Sequence, residues 1–119
     1  MKYLCLIYDD EKKVNGMAKD EADAFMGEYF AFTDGIRQSG HYVAGEALQP
    51  VETATTVRIR NGRLSTTDGP FAETKEQLGG FYLIEANDLN DAIQVASKIP
   101  SARIGSVEVR PVVDFSQPQ

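Results

Sequence analysis

The sequence predicts an α+β fold in which strands and helices follow one another as βαββαβ, with an extra β-hairpin inserted after the second strand. Runs that are apolar throughout, or that alternate between apolar and polar residues, are typical of strands and lie at 3–8, 42–48, 79–86 and 106–113. Two segments with apolar residues at helical spacing, 20–39 and 89–99, lie between them. This order is the ferredoxin-like arrangement, in which two helices cover one face of an antiparallel sheet. A chain of 119 residues is expected to form one domain, 1–119.

The first strand and the first helix are both rich in apolar residues. The strand, 3–8, is apolar on both faces and ends at an acidic run that starts with Asp9. After a polar loop at 11–19, the helix begins near Asp20, a possible N-cap, and ends before Gly40. Its broad apolar stripe comprises Phe25, Met26, Tyr29, Phe32, Thr33 and Ile36. We interpret the stripe as core packing against a sheet, with the lining of a ligand pocket as the alternative.

The inserted hairpin is the clearest local pattern in the chain. Two alternating segments, 55–60 and 63–67, flank Asn61-Gly62, the residue pair preferred in two-residue type I′ turns. The first segment is amphipathic. One face carries Thr55, Val57 and Ile59, and the other carries Thr56, Arg58 and Arg60. We therefore expect one side of the hairpin to face water.

The second half of the chain adds a strand, a helix and a last strand. The strand at 79–86 is again apolar on both faces. Asp88 is placed to cap a helix that starts at Leu89, and Pro100 ends that helix. Alternating residues from Ser106 onward form the last strand.

Strands that are apolar on both faces predict a homodimer. Two helices cover only one face of a four-stranded sheet, so the apolar residues of the strands at 3–8 and 79–86 would leave a bare face on the other side. A contiguous apolar face of that size is rarely left in water. A second copy that packs sheet against sheet through a symmetric interface would cover it.

Charge and composition argue against several partner classes, although Arg58, Arg60 and Arg63 lie close enough in sequence to form a local basic patch. The net charge of −6 argues against nucleic acid, because phosphate contacts need clustered lysine and arginine residues. Cys5 is the only cysteine, so no intrachain disulfide is expected. The apolar part of the N-terminus is too short for a signal peptide, and no run is long enough for a transmembrane helix. We therefore expect a cytoplasmic protein without a membrane partner.

One stretch, 66–85, combines a turn with a polar loop and is where a site would be built. Asp68-Gly69-Pro70 is turn chemistry, because Gly accepts positive φ and Pro fixes φ. Residues 73–77 then place five polar side chains in a row before the apolar strand. Loops that are ordered by their flanking elements often carry function.

The same stretch carries a family resemblance. Residues 67–84 read Thr-Asp-Gly-Pro-Phe-Ala-Glu-Thr-Lys-Glu-Gln-Leu-Gly-Gly-Phe-Tyr-Leu-Ile. This resembles the signature of the DGPF proteins, a branch of the YCII-related family, and the likeness extends over nearly the whole chain. The resemblance implies a dimeric α+β barrel of ferredoxin-like subunits, a biochemical function that is largely unassigned, and an association with sigma factors in transcription.

One feature of the family does not transfer to this chain. Some YCII-related members pair a histidine early in the first helix with an aspartate, a dyad proposed to be catalytic. The first helix predicted here has no histidine, and the single histidine, His41, follows that helix at a turn. An enzymatic role cannot be inferred from that dyad.

The candidate catalytic residues are Asp68 and His41. Asp68 could act as a general acid or base, or it could simply cap its own turn. His41 could act as a base near neutral pH, or it could be a solvated surface residue. The candidate substrate-binding residues are Arg58, Glu73, Thr74, Lys75 and Tyr82. The alternative for the charged residues is a solvated loop or sheet face.

No metal or cofactor is predicted, because the chain has too few histidine and cysteine residues and lacks a phosphate-binding glycine motif. Three hypotheses remain open. The protein is a cofactor-free enzyme of the isomerase or lyase type acting on an unknown small molecule, a non-catalytic regulatory module that contacts a sigma factor, or a structural dimeric interaction protein. A closed pocket with Asp68 pointing inward would favour the first.

Overall fold

The computed structural model describes residues 1–116 and contains six strands and three α-helices within them. In chain order these are β1 (Lys2–Asp9), α1 (Glu11–Asn15), α2 (Lys19–Gln38), β2 (Tyr42–Ala47), β3 (Thr55–Arg60), β4 (Arg63–Asp68), β5 (Gln77–Glu85), α3 (Leu89–Ala96) and β6 (Ser106–Pro111). Two short 3₁₀ turns occur at Val51–Thr53 and Pro100–Arg103.

The main sheet has four antiparallel strands in the order β2-β5-β1-β6, so the long strands β1 and β5 occupy the centre. With β3 and β4 set aside, the chain runs βαββαβ apart from the short helix α1. The predicted ferredoxin-like class is therefore confirmed.

The core lies between one face of the sheet and the helices. Alternate residues of β1 (Tyr3, Cys5 and Ile7) are buried against this layer, and Ile84 of β5 is fully buried beside them. The helices contribute Phe32, Ile36, Ala92, Val95 and Ala96 to the same cluster. The intervening residues of β1 and β5, which point to the opposite face, are only half-buried.

Strand ends differ from the sequence-based predictions by one or two residues, and the larger differences concern the helices. The segment predicted as a loop at 11–19 contains helix α1, because the Asp10 side chain caps it by accepting a hydrogen bond from Lys12 N at 3.0 Å. Helix α2 has Ala18 rather than Asp20 at its N-cap, and Asp20 lies in the first turn. Helix α3 ends at Ala96, three residues before the predicted end. The predicted cap of α3 is confirmed, because Asp88 accepts a hydrogen bond from Asp91 N at 2.8 Å.

Strands β3 and β4 form a separate two-stranded sheet, which we call the arm (residues 55–68). Its turn has positive φ at both Asn61 (53°) and Gly62 (75°), as a type I′ hairpin requires. Two hydrogen bonds close its base, from Gly69 N to Ala54 O at 2.7 Å and from Thr56 Oγ1 to Gly69 O at 2.8 Å. The radius of gyration is 16.5 Å. That exceeds the roughly 13.5 Å expected of a compact domain of this length, as a projecting arm would cause.

Candidate functional site

A carboxylate stands on the core face of the sheet at the end of β1. Asp9 follows Tyr3, Cys5 and Ile7 in the alternating register that points toward the helices. Its Oδ2 atom accepts a hydrogen bond from Ser101 Oγ at 2.9 Å. Its Oδ1 atom is buried and accepts no hydrogen bond from any described residue. A buried carboxylate oxygen without a donor is costly in a folded protein, so this atom is the first candidate for a functional group.

Ser101 and Tyr29 form a row of hydrogen-bonded polar groups with this carboxylate, which we call the file (Tyr29, Ser101 and Asp9). Ser101, in the 3₁₀ turn after α3, is fully buried, and its Oγ atom is also hydrogen-bonded to the hydroxyl of Tyr29 on α2. Ser101 has one hydroxyl hydrogen, which it donates to Asp9, so Tyr29 must donate to Ser101. The file therefore runs from the Tyr29 hydroxyl through the Ser101 hydroxyl to the Asp9 carboxylate.

The surroundings of the file favour uncharged forms of its members. Burial raises the pKa of Asp9; the Ser101 hydrogen bond acts against this shift, and the negative charge of Glu76 adds to it. Burial also raises the pKa of Tyr29, to about 12, so the phenol stays protonated near neutral pH. A carboxyl group with a raised pKa, linked to a neutral phenol through a serine hydroxyl, can accept and return protons.

The polar loop before β5 reaches this site through its last residues. Glu76 accepts a hydrogen bond from Ser106 Oγ at 2.8 Å and raises the pKa of Asp9 by its charge. The backbone at Gly105 packs closely against the end of β1, and only glycine fits there. A Cβ atom at this position would lie 2.1 Å from Tyr8 O and 2.9 Å from Asp9 Oδ1.

Tyr82 of β5, a predicted substrate-binding residue, lies in the same layer. It contacts Thr33, which is one helical turn after Tyr29 on α2. Thr33 Oγ1 donates to Tyr29 O at 2.9 Å and lies 2.7 Å from the Tyr82 hydroxyl. Since the Thr33 hydrogen is already used, the Tyr82 hydroxyl donates to Thr33. Tyr82 is 9% exposed, and burial raises its pKa. Both tyrosines therefore present neutral phenols between α2 and the sheet.

His41, a predicted catalytic residue, is held at the other end of α2 by two partners. Its Nδ1 atom lies 2.7 Å from Ser39 Oγ, and its Nε2 atom lies 3.2 Å from both carboxylate oxygens of Asp91. The pKa of Asp91 is lowered, first by the hydrogen bond from Asn87 N and further by His41. His41 is therefore a half-buried, oriented side chain rather than a fully solvated one.

His41 also borders a groove of about 520 Å³ between α2 and the segment that contains α3 and the following 3₁₀ turn. The walls of the groove are apolar and include Phe32, Ile36 and Val95. Its far end is bordered by the ion pair between Arg103 and Glu28, at 2.9 Å.

Comparison with known proteins places the chain in a family. Residues 1–116 match the model of the YCII-related domain. The chain belongs to the YCII-related family. A relative in Rhizobium meliloti (strain 1021), described as an uncharacterised protein, is 38% identical over 114 residues, which cover 94% of this chain and 92% of the relative.

The other predicted site residues of this YCII-related protein lie on its surface. Asp68 ends β4 opposite Thr55, its side chain is exposed, and it makes no side-chain hydrogen bond or ion pair with residues 1–116. Arg58, Glu73 and Lys75 are also exposed. Thr74 Oγ1 donates to Glu76 O, which orders the loop next to Glu76. Within the described part of the chain, no hydrogen bond or ion pair joins any of these side chains to the file at Asp9.

Two further findings concern residues 1–116 of the YCII-related chain. They contain no group of three or more histidine, cysteine, aspartate or glutamate residues placed to hold a metal ion. None of their helices combines the length and apolarity needed to span a bilayer.

The sequence-based candidates did not include Asp9, Ser101 or Tyr29. Asp9 carried a detectable signal, because it continues the inward-facing alternation of β1 and so places a carboxylate on the core face. Tyr29 was counted within the apolar stripe of α2, and Ser101 lies in a turn without periodicity. The approach of these three residues depends on tertiary contacts between segments that lie up to 92 positions apart.

Proposed function

We propose that this YCII-related protein is a homodimer that binds a small molecule and catalyses a cofactor-free proton transfer on it, in a reaction of the isomerase or lyase type. The observation that carries the proposal is the half-buried carboxylate of Asp9, which has one oxygen held by Ser101 and the other without a donor among the described residues. Asp9 is the proposed general base and acid.

The chain's own residues suggest how the proton moves. Because Oδ1 is buried in the single chain, the substrate reaches it only when the neighbouring segments move apart. In its ionised form, Asp9 then takes a proton from the substrate at Oδ1, while Ser101 keeps Oδ2 in place. The raised pKa of Asp9 makes this transfer more favourable than it would be for an exposed aspartate. The proton on Asp9 exchanges with solvent, and the protonated carboxyl then donates a proton either to another atom of the substrate, which gives an isomerase, or to a leaving group, which gives a lyase.

The charges around Asp9 favour a particular substrate class. Glu76 adds a second negative charge near the carboxylate, so an anionic group would be repelled from this end of the site. The proposed substrate is a neutral or cationic small molecule with an acidic C–H bond next to a carbonyl group. The neutral phenol of Tyr29 reaches the carboxylate only through the Ser101 hydroxyl, which it holds in place.

The sequence-predicted residues keep supporting roles in this proposal. Glu73, Thr74 and Lys75 directly precede Glu76 in the chain and are proposed to contact the outer part of the substrate. Tyr82 is proposed to form part of the wall between α2 and the sheet. Asp68, Arg58 and His41 remain candidates for contacts with a ligand away from Asp9.

Exchange of substrate hydrogen with solvent tests the catalytic role of Asp9. Small neutral ketones and keto-amides are incubated with the protein in D₂O, and deuterium incorporation next to the carbonyl is followed by NMR. We expect exchange with the wild-type protein, a loss of about 100-fold or more in Asp9→Asn, and a smaller loss in Tyr29→Phe. Asp34→Asn, which changes an exposed carboxylate on α2, is the matched control. Equal exchange in wild type and Asp9→Asn would refute the proposal.

The proposed homodimer is supported by the open face of the main sheet. Leu4 and Leu6 of β1 lie opposite Leu83 and Phe81 of β5, and all four side chains are only half-buried in the single chain. Burial of such a face against a second copy would remove a large apolar area from water.

A non-catalytic regulatory or interaction module is the second candidate. It is favoured by Phe71 in the loop after the Asp68 turn, whose side chain is 80% exposed and would suit a protein partner such as a sigma factor. This candidate predicts a stable complex in a pull-down with the purified sigma factor, lost in Phe71→Ala and kept in Asp68→Asn. If neither variant changes recovery of the sigma factor, the candidate is wrong.

A further inference from the structure

The arm, residues 55–68, has two faces of opposite character. Because residues that pair directly across the hairpin share a face, Val57, Ile59 and Leu64 lie together on one side. The pairing places the three arginines Arg58, Arg60 and Arg63 on the other side. The arm is therefore a two-stranded ribbon with an apolar stripe and a cationic stripe.

The apolar stripe is uncovered in the single chain. The side chains of Val57, Ile59 and Leu64 are 60%, 65% and 69% exposed. A two-stranded hairpin without a packed apolar face is at best marginally stable in water. The stripe is thus suited to pack against another surface.

The charge of the arm differs in sign from that of the rest of the chain. It holds three arginines and one aspartate, a net charge of +2. The whole chain carries −6, which leaves −8 for the residues outside the arm. The positively charged arm is attracted to an acidic protein surface, and the acidic body of a second copy of the chain is such a surface. Nucleic acid is a less suitable partner, because its phosphates would repel the acidic body.

We propose that the arm is exchanged between subunits: the apolar stripe of each arm packs on the body of the second copy, and the arginine stripe is drawn toward the acidic surface of that body. The proposal rests on the homodimer put forward above and assigns to the arm a part of its interface. In a two-fold dimer each copy gives one arm and receives one, so the contact is made twice.

Charge substitutions on the apolar stripe test the exchange. Ile59→Asp and Leu64→Asp are compared with Gln94→Asp, which adds the same charge on the exposed surface of α3, outside the arm. Dimer dissociation constants come from sedimentation over a dilution series of the full chain. We expect the two stripe variants to raise the constant at least about tenfold each and the control to change it less than about threefold.

Hydrogen exchange supplies an independent readout of the same contact. The amides of the arm are expected to be protected at concentrations where the dimer forms and to lose protection on dilution. A dimeric wild-type protein whose dissociation constant is unchanged by both stripe variants would overturn the exchange and leave the dimer standing. A wild-type monomer at all concentrations would overturn both, whereas the proton-transfer activity of Asp9 is read separately by deuterium incorporation.

Discussion

At the scale of single residues, the position of Asp9 lowers the stability of the folded chain but suits a role in proton transfer. Its raised pKa means that the folded chain binds the proton more tightly than the unfolded chain does. The ionised form of Asp9 therefore lowers the free energy of unfolding, and this loss reaches its full size only at pH values above the folded-state pKa. Retention of such a carboxylate on the core face is consistent with a functional role.

The pH dependence of stability should reveal this cost. Below the unfolded-state pKa of about 3.8 the carboxyl is protonated in both states and contributes nothing; as pH rises through the folded-state pKa, the free energy of unfolding falls. We expect the difference between wild type and Asp9→Asn to move in favour of the variant over this window, by an amount that solvent screening reduces because Asp9 is only half-buried. Chemical denaturation from pH 3 to pH 8 measures it. A difference that is constant with pH would show that Asp9 titrates normally.

Gly105 makes a second prediction at this scale. A Cβ atom there would lie 2.1 Å from the carbonyl oxygen of Tyr8, a backbone atom that cannot move without disturbing β1. We expect Gly105→Ala to lower the free energy of unfolding by roughly 2–4 kcal/mol. Gly27→Ala in α2, where nothing lies within 4 Å of the added atom, is the control and should be neutral or stabilising by up to about 1 kcal/mol. Denaturant unfolding curves of both variants decide the point.

At the scale of elements, most of the fold could be predicted from the sequence. The four strands of the main sheet, helices α2 and α3, and the arm with its Asn61-Gly62 turn each depend on a local pattern, and the structure contains all of them. Helix α1 was missed because it has five residues and no buried side chain, so it shows no apolar periodicity. A single capping contact from Asp10 defines where it begins.

Most residues of the candidate site could not be predicted from these local sequence patterns. The polar loop before β5 was identified as a place for a site, and its last residue Glu76 does influence Asp9. The contacts that join Asp9, Ser101 and Tyr29, however, arise where the end of β1, a 3₁₀ turn and α2 meet. Local patterns predict elements, whereas a site of this kind depends on how the elements pack.

The cap of α3 gives a prediction that belongs to one element. Asp88 accepts a hydrogen bond from Asp91 N, one of the helix's unpaired amides. Asp88→Ala should therefore cost about 1 kcal/mol of stability. Asn90→Ala, which changes an exposed residue two positions further along the same helix, is the control and should be neutral or slightly stabilising. Equal thermal stability of wild type and Asp88→Ala would contradict the capping role.

At the scale of the whole molecule, apolar surface is distributed in a way that a single chain does not explain. The open sheet face and the arm stripe lie outside the core, and each is exposed or half-buried. The net charge of −6 would keep monomers apart at long range, so association needs a substantial apolar contribution. In a two-fold symmetric dimer every contact is made twice, so each apolar contact contributes twice to the free energy of association.

A lysine placed in the open sheet face tests the homodimer itself. Leu83 lies between Leu4 of β1 and Ala44 of β2, so a charged side chain there faces no opposite charge across either strand. Burial of an unpaired ammonium group against a second copy is strongly unfavourable. At micromolar protein concentration we expect wild type to sediment as a dimer and Leu83→Lys to sediment as a monomer, while the far-UV circular dichroism spectrum stays unchanged. Because the substitution lowers the net negative charge, loss of the dimer cannot be attributed to greater repulsion.

Gln94→Lys, on the exposed surface of α3, adds the same charge away from the sheet and should leave the dimer intact. If Leu83→Lys and Gln94→Lys dimerise equally well, the open face is not the interface, and the half-buried residues of β1 and β5 need another explanation. If both are dimeric but only the arm variants dissociate, the arms alone hold the subunits together. Because the sheet and the arm are altered in separate variants, their contributions to the interface can be measured independently.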